Sequence, residues 1–134
     1  MRDFAARLMA HEAAESRSAD TGVSAAFAVP DKMRGPLATL MGGGGHRALL
    51  MRTLALAGVE VPWLKRSRVG ADGSLEESSP SDVPVDPEEV LEGGKVLVAQ
   101  LIGLLVAFIG ERMTLQLVRE VWPKLPARDL KFKI

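Results

Sequence analysis

The longest uninterrupted apolar pattern in the chain runs from Val96 to Ile109, where only Gln100 and Gly103 break a series of aliphatic and aromatic residues. At helical periodicity such a segment is apolar all round, and a helix of that kind has to be enclosed by protein or by lipid. Its start is marked upstream by Asp86-Pro87-Glu88-Glu89, which combines an N-cap acceptor, a proline at the first helical position and a glutamate that completes a capping box. Beyond Gly110 the pattern turns amphipathic, with Met113, Leu117, Val118 and Val121 apolar and Glu111, Arg112, Gln116, Arg119 and Glu120 polar. The spacing predicts one helix through Lys95 to Trp122, about 42 Å long at 1.5 Å per residue, stopped by Pro123 and open to a kink at Gly93-Gly94.

The remaining elements are shorter. Asp3 to Ser16 carries Phe4, Leu8 and Met9 on one side and suits an amphipathic helix. Ser16 to Gly22 reads as a polar connector, followed by small apolar residues that stop at Pro30. A helical pattern resumes from Pro36 through Leu37, Leu40 and Met41 until it meets Gly42 to Gly45. Four glycines at roughly 1 kcal/mol each against alanine predict a break, with a new helix from near His46 to Ala57, capped by Gly58. A short β-hairpin is predicted near residues 59–75, around Trp63, Leu64 and Val69 and the turn-forming Ala71-Asp72-Gly73-Ser74. Residues 76–85 form an acidic, Ser- and Pro-rich loop with little to bury, and 123–134 a basic tail.

Together these elements predict an all-α fold: a small helical bundle in one domain, 1–134, organised around the long C-terminal apolar helix. Leu, Ala, Val and Met supply the apolar share, with no Tyr, two Trp and four Phe, a composition that favours helices over strands. A membrane span needs about 20 apolar residues, and the run from Val96 to Gly110 is shorter, bounded by Lys95 and by Glu111-Arg112. The segment is therefore expected inside protein, wrapped on every side. Ala99, Gly103, Ala107, Gly110 and Thr114 recur at spacings of four, four, three and four, which on one helix places five small side chains on one face and permits close approach of another backbone. Few short helices are left to enclose the apolar one, so this stripe is the expected helix-packing or homo-oligomer interface.

The net charge is zero, which gives no global attraction to nucleic acid or anionic membrane. Charge is nevertheless blocked: Lys32 to Arg68 is basic but for Glu60, Asp72 to Glu92 is acidic, and Lys124, Arg128, Lys131 and Lys133 close the chain. Pairing between the blocks accounts for the pattern, with an anionic or protein partner as the alternative. The absence of cysteine excludes disulfides, thiolate metal sites and cysteine nucleophiles. Arg2, Asp3, Arg7 and Glu12 interrupt the first residues and leave no signal-like apolar run, so a cytoplasmic location is expected.

Candidate chemistry is sparse. Gly44, Gly45, His46 and Arg47 lead into a helix whose N-terminal amides and arginine fork suit a phosphate or carboxylate, although neither a P-loop nor a dinucleotide-binding pattern is present. His11 and His46 are the sole histidines, and His11 with Glu15 offers only two ligands on one helix turn, so no metal is expected. Lys65, Arg66 and Arg68 beside Trp63 form the one basic cluster with an aromatic, too narrow for a nucleic-acid face. No elbow or triad pattern suggests an enzyme, and no cofactor motif occurs. The reading that follows is a non-enzymatic, self-associating helical interaction module, with a small anion sensor or enzyme at Gly45 to Arg47 and a peripheral membrane protein as alternatives.

Overall fold

The computed structural model describes residues 2–16, 23–62, 64, 68–70, 75–76 and 87–126. The fold is all-α: α1 spans Arg2–Ser16, α2 Val23–Glu60, α3 Pro87–Ile109 and α4 Glu111–Val121. Two two-residue strands, β1 (Arg68–Val69) and β2 (Leu75–Glu76), pair antiparallel with Arg68 opposite Glu76 and Val69 opposite Leu75. The expected turn at 71–74, the acidic loop 76–85 beyond Glu76 and the tail from residue 127 onward lie outside the described residues.

The helix α3 packs chiefly on α2 and also meets α1 and α4. Its core-facing side consists of Val96, Leu97, Val98, Leu101, Ile102 and Leu105, all buried. Against these lie Phe4, Leu8 and Met9 of α1, Val29, Met33, Leu37, Leu49, Leu50, Leu54 and Ala57 of α2, and Leu117 and Val118 of α4 within one apolar cluster. Each large side chain so buried contributes about 1.5–3 kcal/mol relative to exposure. Gly93 and Gly94 are buried inside an unbroken helix, so the kink expected there is absent.

Three expectations about helix boundaries are corrected. The single helix from Lys95 to Trp122 is two helices, because Gly110 adopts φ 87 and ψ 162 between α3 and α4. That backbone region is essentially restricted to glycine. Conversely, Pro30 does not stop a helix: α2 runs from Val23 through Pro30 and Pro36. Each proline removes one backbone hydrogen bond, and the burial of Val29, Met33 and Leu37 along the same face offsets the loss. The helix continues past Gly58 to Glu60 as well.

Within α2 the helical backbone is interrupted at Gly42 alone, φ 80 and ψ 158, while Gly43 to Gly45 are helical. The break thus sits at the first glycine of the run, not at its end. Gly42 and Gly110 share one conformation, and their surroundings correspond. Five residues before each glycine, Leu37 and Leu105 are buried; two before, Leu40 and Phe108 are exposed; four after, His46 and Thr114 are buried, as are Leu49 and Leu117 seven after and Leu50 and Val118 eight after. Helix α2 and the α3–α4 pair are therefore two versions of one helix–glycine–helix unit, packed on each other.

Candidate functional site

Three polar or open features stand out among the described residues, and each follows from where the helices place particular side chains. The first is a buried ion cluster between α1, α2 and the end of α4. Phe4, Ala5, Leu8, Met9 and Glu12 share the core-facing stripe of α1, so the carboxylate of Glu12 enters the interior, where the residue is 1% exposed. Lys32 Nζ reaches its Oε2 at 2.8 Å and the indole Nε1–H of Trp122 donates to the same oxygen at 2.7 Å. Trp122 itself is fully buried, and its ring plane is held at the close of α4, where its backbone N–H donates to Val118 O. Nearby on α1, the Arg7 guanidinium lies 6.0 Å from the Phe4 ring centroid, within cation–π range. Charge, hydrogen bond and packing in this cluster tie three helices together.

The second feature is the bend of α2. His46 sits in the first turn after Gly42, is 1% exposed, and its Nε2 has no hydrogen-bond partner among the described residues. Burial, and secondarily the Arg34 guanidinium, lower its pKa below the usual 6.5. Gly43, Gly44 and Gly45 are exposed, and a Cβ at Gly43 or Gly44 would meet nothing within 4 Å.

The third is the far side of α3. Ala99 and Gly103 are half-exposed, Ala107 is exposed and Phe108 is 63% exposed. A Cβ at Gly103 or Gly110 would touch nothing within 4 Å. By length and composition Leu91–Ile109 could cross a membrane, and 44% of its most apolar window is buried in the chain. The described residues of one copy, which pack on α3 from α1, α2 and α4, cover the helix only in part, so the expected enclosure by protein on every side is not complete within the chain.

The sequence-derived candidates divide accordingly. Of the anion-binding set, Gly44 has open space beside it, a Cβ at Gly45 would meet the Met41 side chain at 3.4 Å, His46 is buried and Arg47 is exposed. Of the packing stripe, Ala99, Gly103 and Ala107 form one open line, whereas the break at Gly110 takes Thr114 onto α4, where it is buried and donates from Oγ1 to Gly110 O at 2.8 Å. His11 is half-buried, and the side chains of Glu15, Trp63, Lys65, Arg66 and Arg68 lie outside the described residues. Among the described residues no three His, Asp or Glu side chains gather as a metal site. Glu12, Lys32, Trp122 and Arg34 were not singled out by motif. The position of Glu12 on the apolar stripe of an amphipathic helix is the signal that could have found it.

A shallow depression of about 1140 Å³ along α4 is lined by Glu111, Arg112, Leu115, Gln116, Arg119, Glu120, Pro123 and Leu125. Its charges of both signs stand on exposed helix positions and converge on no common point. Compared with known proteins, the chain matches no family model, no curated protein and no solved structure.

Proposed function

We propose that the protein is a non-enzymatic helical interaction module: a cytoplasmic single domain whose helices form a small bundle around α3 and whose open α3 face is covered by a second copy of the chain. The observation that carries this reading is the uncovered line of Ala99, Gly103, Ala107 and Phe108 along an otherwise apolar helix. Water against such a face is unfavourable at about 25 cal/mol per Å² of apolar surface. Small residues on it allow two helix backbones to approach closely, and the same face on both copies satisfies a two-fold arrangement. Charge supports this pairing as well. Between Lys95 and Glu111 the helix carries no ionisable group, while Glu92 and Lys95 stand at one end and Glu111 and Arg112 at the other. Glu92 and Lys95 pair with each other at 3.0 Å, which leaves the face between the ends of α3 without an unpaired charge of its own.

Membrane association through the same helix is the competing reading, favoured by the length and hydropathy of Leu91–Ile109. Sedimentation equilibrium and liposome flotation on the full chain separate the two. A dimer that dissociates in Ala107→Glu, with an unchanged helical spectrum, supports the module. A clean monomer at high micromolar concentration removes it, and flotation that Ala107→Glu abolishes transfers the face to lipid.

A further inference from the structure

We infer that the exposed face of α4 docks on the same face of a second copy of the chain, with the two helices antiparallel about a two-fold axis that passes between Leu115 and Gln116. The orientation of α4 is set by its other side, where Thr114, Leu117 and Val118 are buried. That burial turns Glu111, Arg112, Gln116, Arg119 and Glu120 to the surface, where with the half-buried Leu115 they line one shallow depression. None of the described residues lining it belongs to α3. This face is therefore distinct from the line of Ala99, Gly103 and Ala107, and the inference does not rest on how that line is covered.

The charges on this face are not used within the chain. Glu111, Arg112, Arg119 and Glu120 form no ion pair among the described residues. Residues three and four apart are neighbours on a helix, and within α4 those positions hold Thr114, Leu115, Gln116 and Leu117, none of them charged. Two rows run along the face at four-residue spacing, Glu111–Leu115–Arg119 and Arg112–Gln116–Glu120, each with opposite charges about 12 Å apart. The two-fold axis lays each row against its own reverse. Glu111 then meets Arg119 of the second copy and Arg112 meets Glu120, so every charge on the face is paired. At the centre Leu115 meets Leu115 in apolar contact, and the Gln116 amide, both donor and acceptor, can bond its counterpart. The order of the residues matters. Had the second pair read Glu-Arg like the first, each row would hold like charges at its two ends, and the same two-fold contact would repel. One patch that complements itself is what a two-fold contact between identical chains requires, and opposed charges fix its antiparallel register.

Sedimentation equilibrium of the full-length chain at high micromolar concentration tests this contact. Exposed charge pairs weaken as salt screens them, so the average mass is expected to fall by up to half between about 50 mM and about 500 mM sodium chloride. If the α3 face pairs copies as well, the fall is from tetramer to dimer; if it does not, the fall is from dimer to monomer, and either result supports docking through α4. Two double variants of unchanged net charge then decide whether these rows are responsible. Glu111→Arg combined with Arg112→Glu turns every facing pair into like charges and should weaken the low-salt association by about tenfold or more. Glu111→Arg combined with Arg119→Glu only reverses the direction of one row, keeps opposite charges face to face and should stay within about threefold of the native chain. Circular dichroism reports the helical content of both variants. A mass that does not respond to salt, which would assign the face to a different partner, or the same response in both double variants, would overturn the proposal.

Discussion

Glu12 shows how a single side chain can join three helices and how unequal its partners are. The carboxylate is buried, whereas the Lys32 side chain is 40% exposed. Without the carboxylate, the half-exposed Lys32 ammonium keeps its access to water. Removing the ammonium leaves a buried anion with one indole hydrogen bond, and stranding a charge is the more costly loss. Lys32→Met is therefore expected to destabilise by about 3 kcal/mol and Glu12→Gln by about 1 kcal/mol, an ordering that urea denaturation of the two variants checks. Equal losses would show that the pair acts as an exposed bridge, like Arg2–Glu60 at 2.9 Å, whose contribution is small. His46 gives the residue scale its pH dependence. Its folded pKa is lowered, by burial first and by Arg34 second, so below about 6.5 the unfolded chain takes up a proton that the folded chain refuses. Stability from this group is complete above 6.5 and falls as the pH drops from there toward the folded value. In phosphate-free buffer the urea midpoint of the native chain should fall more steeply between pH 7 and 5.5 than that of His46→Leu; parallel slopes would exclude His46 as the cause.

Among the elements, the legible parts of the sequence were those in which local and tertiary preferences agree. The stripe of Phe4, Leu8 and Met9 announced α1, and Pro87 with its flanking acids announced the start of α3. The structure departs from the pattern at three boundaries, for different reasons. Pro30 and Pro36 remain inside α2, since Met33 and Leu37 between and beside them are buried. Gly110 was passed over because an isolated glycine inside an apolar helical pattern is ordinarily tolerated, and nothing in its neighbours reveals a positive φ. At Gly42 the glycine run did announce a break, but could not tell which of four residues would carry it. The candidate site was legible to the same degree: Gly44, Gly45 and His46 are local features, whereas the burial of His46 follows from how α2 packs. Glycines required by their backbone conformation differ from those that are merely present. Gly110→Ala and Gly42→Ala place a side chain in a region that L-residues avoid and are each expected to destabilise by roughly 1–3 kcal/mol, despite open space around both positions. Gly103, helical and equally open, should behave oppositely. Alanine there gains up to about 1 kcal/mol of helix preference in a dilute, unassociated chain, and denaturant midpoints of the three variants distinguish the two classes.

For the whole molecule, the decisive question is whether one copy is the complete folding unit. Among the described residues α3 packs on α1, α2 and α4 and leaves Ala99, Gly103 and Ala107 partly or fully exposed, and the equivalent face on α2 is polar, with Asp31, Gly35 and Thr39 exposed at the corresponding positions. The two halves of the chain are alike in backbone but not in the surface they offer, which makes α3 the side that a second copy would cover. Association that binds only the folded state raises stability by mass action, so the melting temperature of the native chain should climb with protein concentration from low to high micromolar. Gly103→Ala then acts in two directions. It strengthens the helix in the dilute chain, but its methyl group lies where the two backbones would meet, so its melting temperature should exceed that of the native chain at low concentration and lose that advantage as concentration rises. Melting curves of both proteins across a hundredfold dilution make the comparison, and two parallel, concentration-independent lines would mean that the open face of α3 serves no second copy.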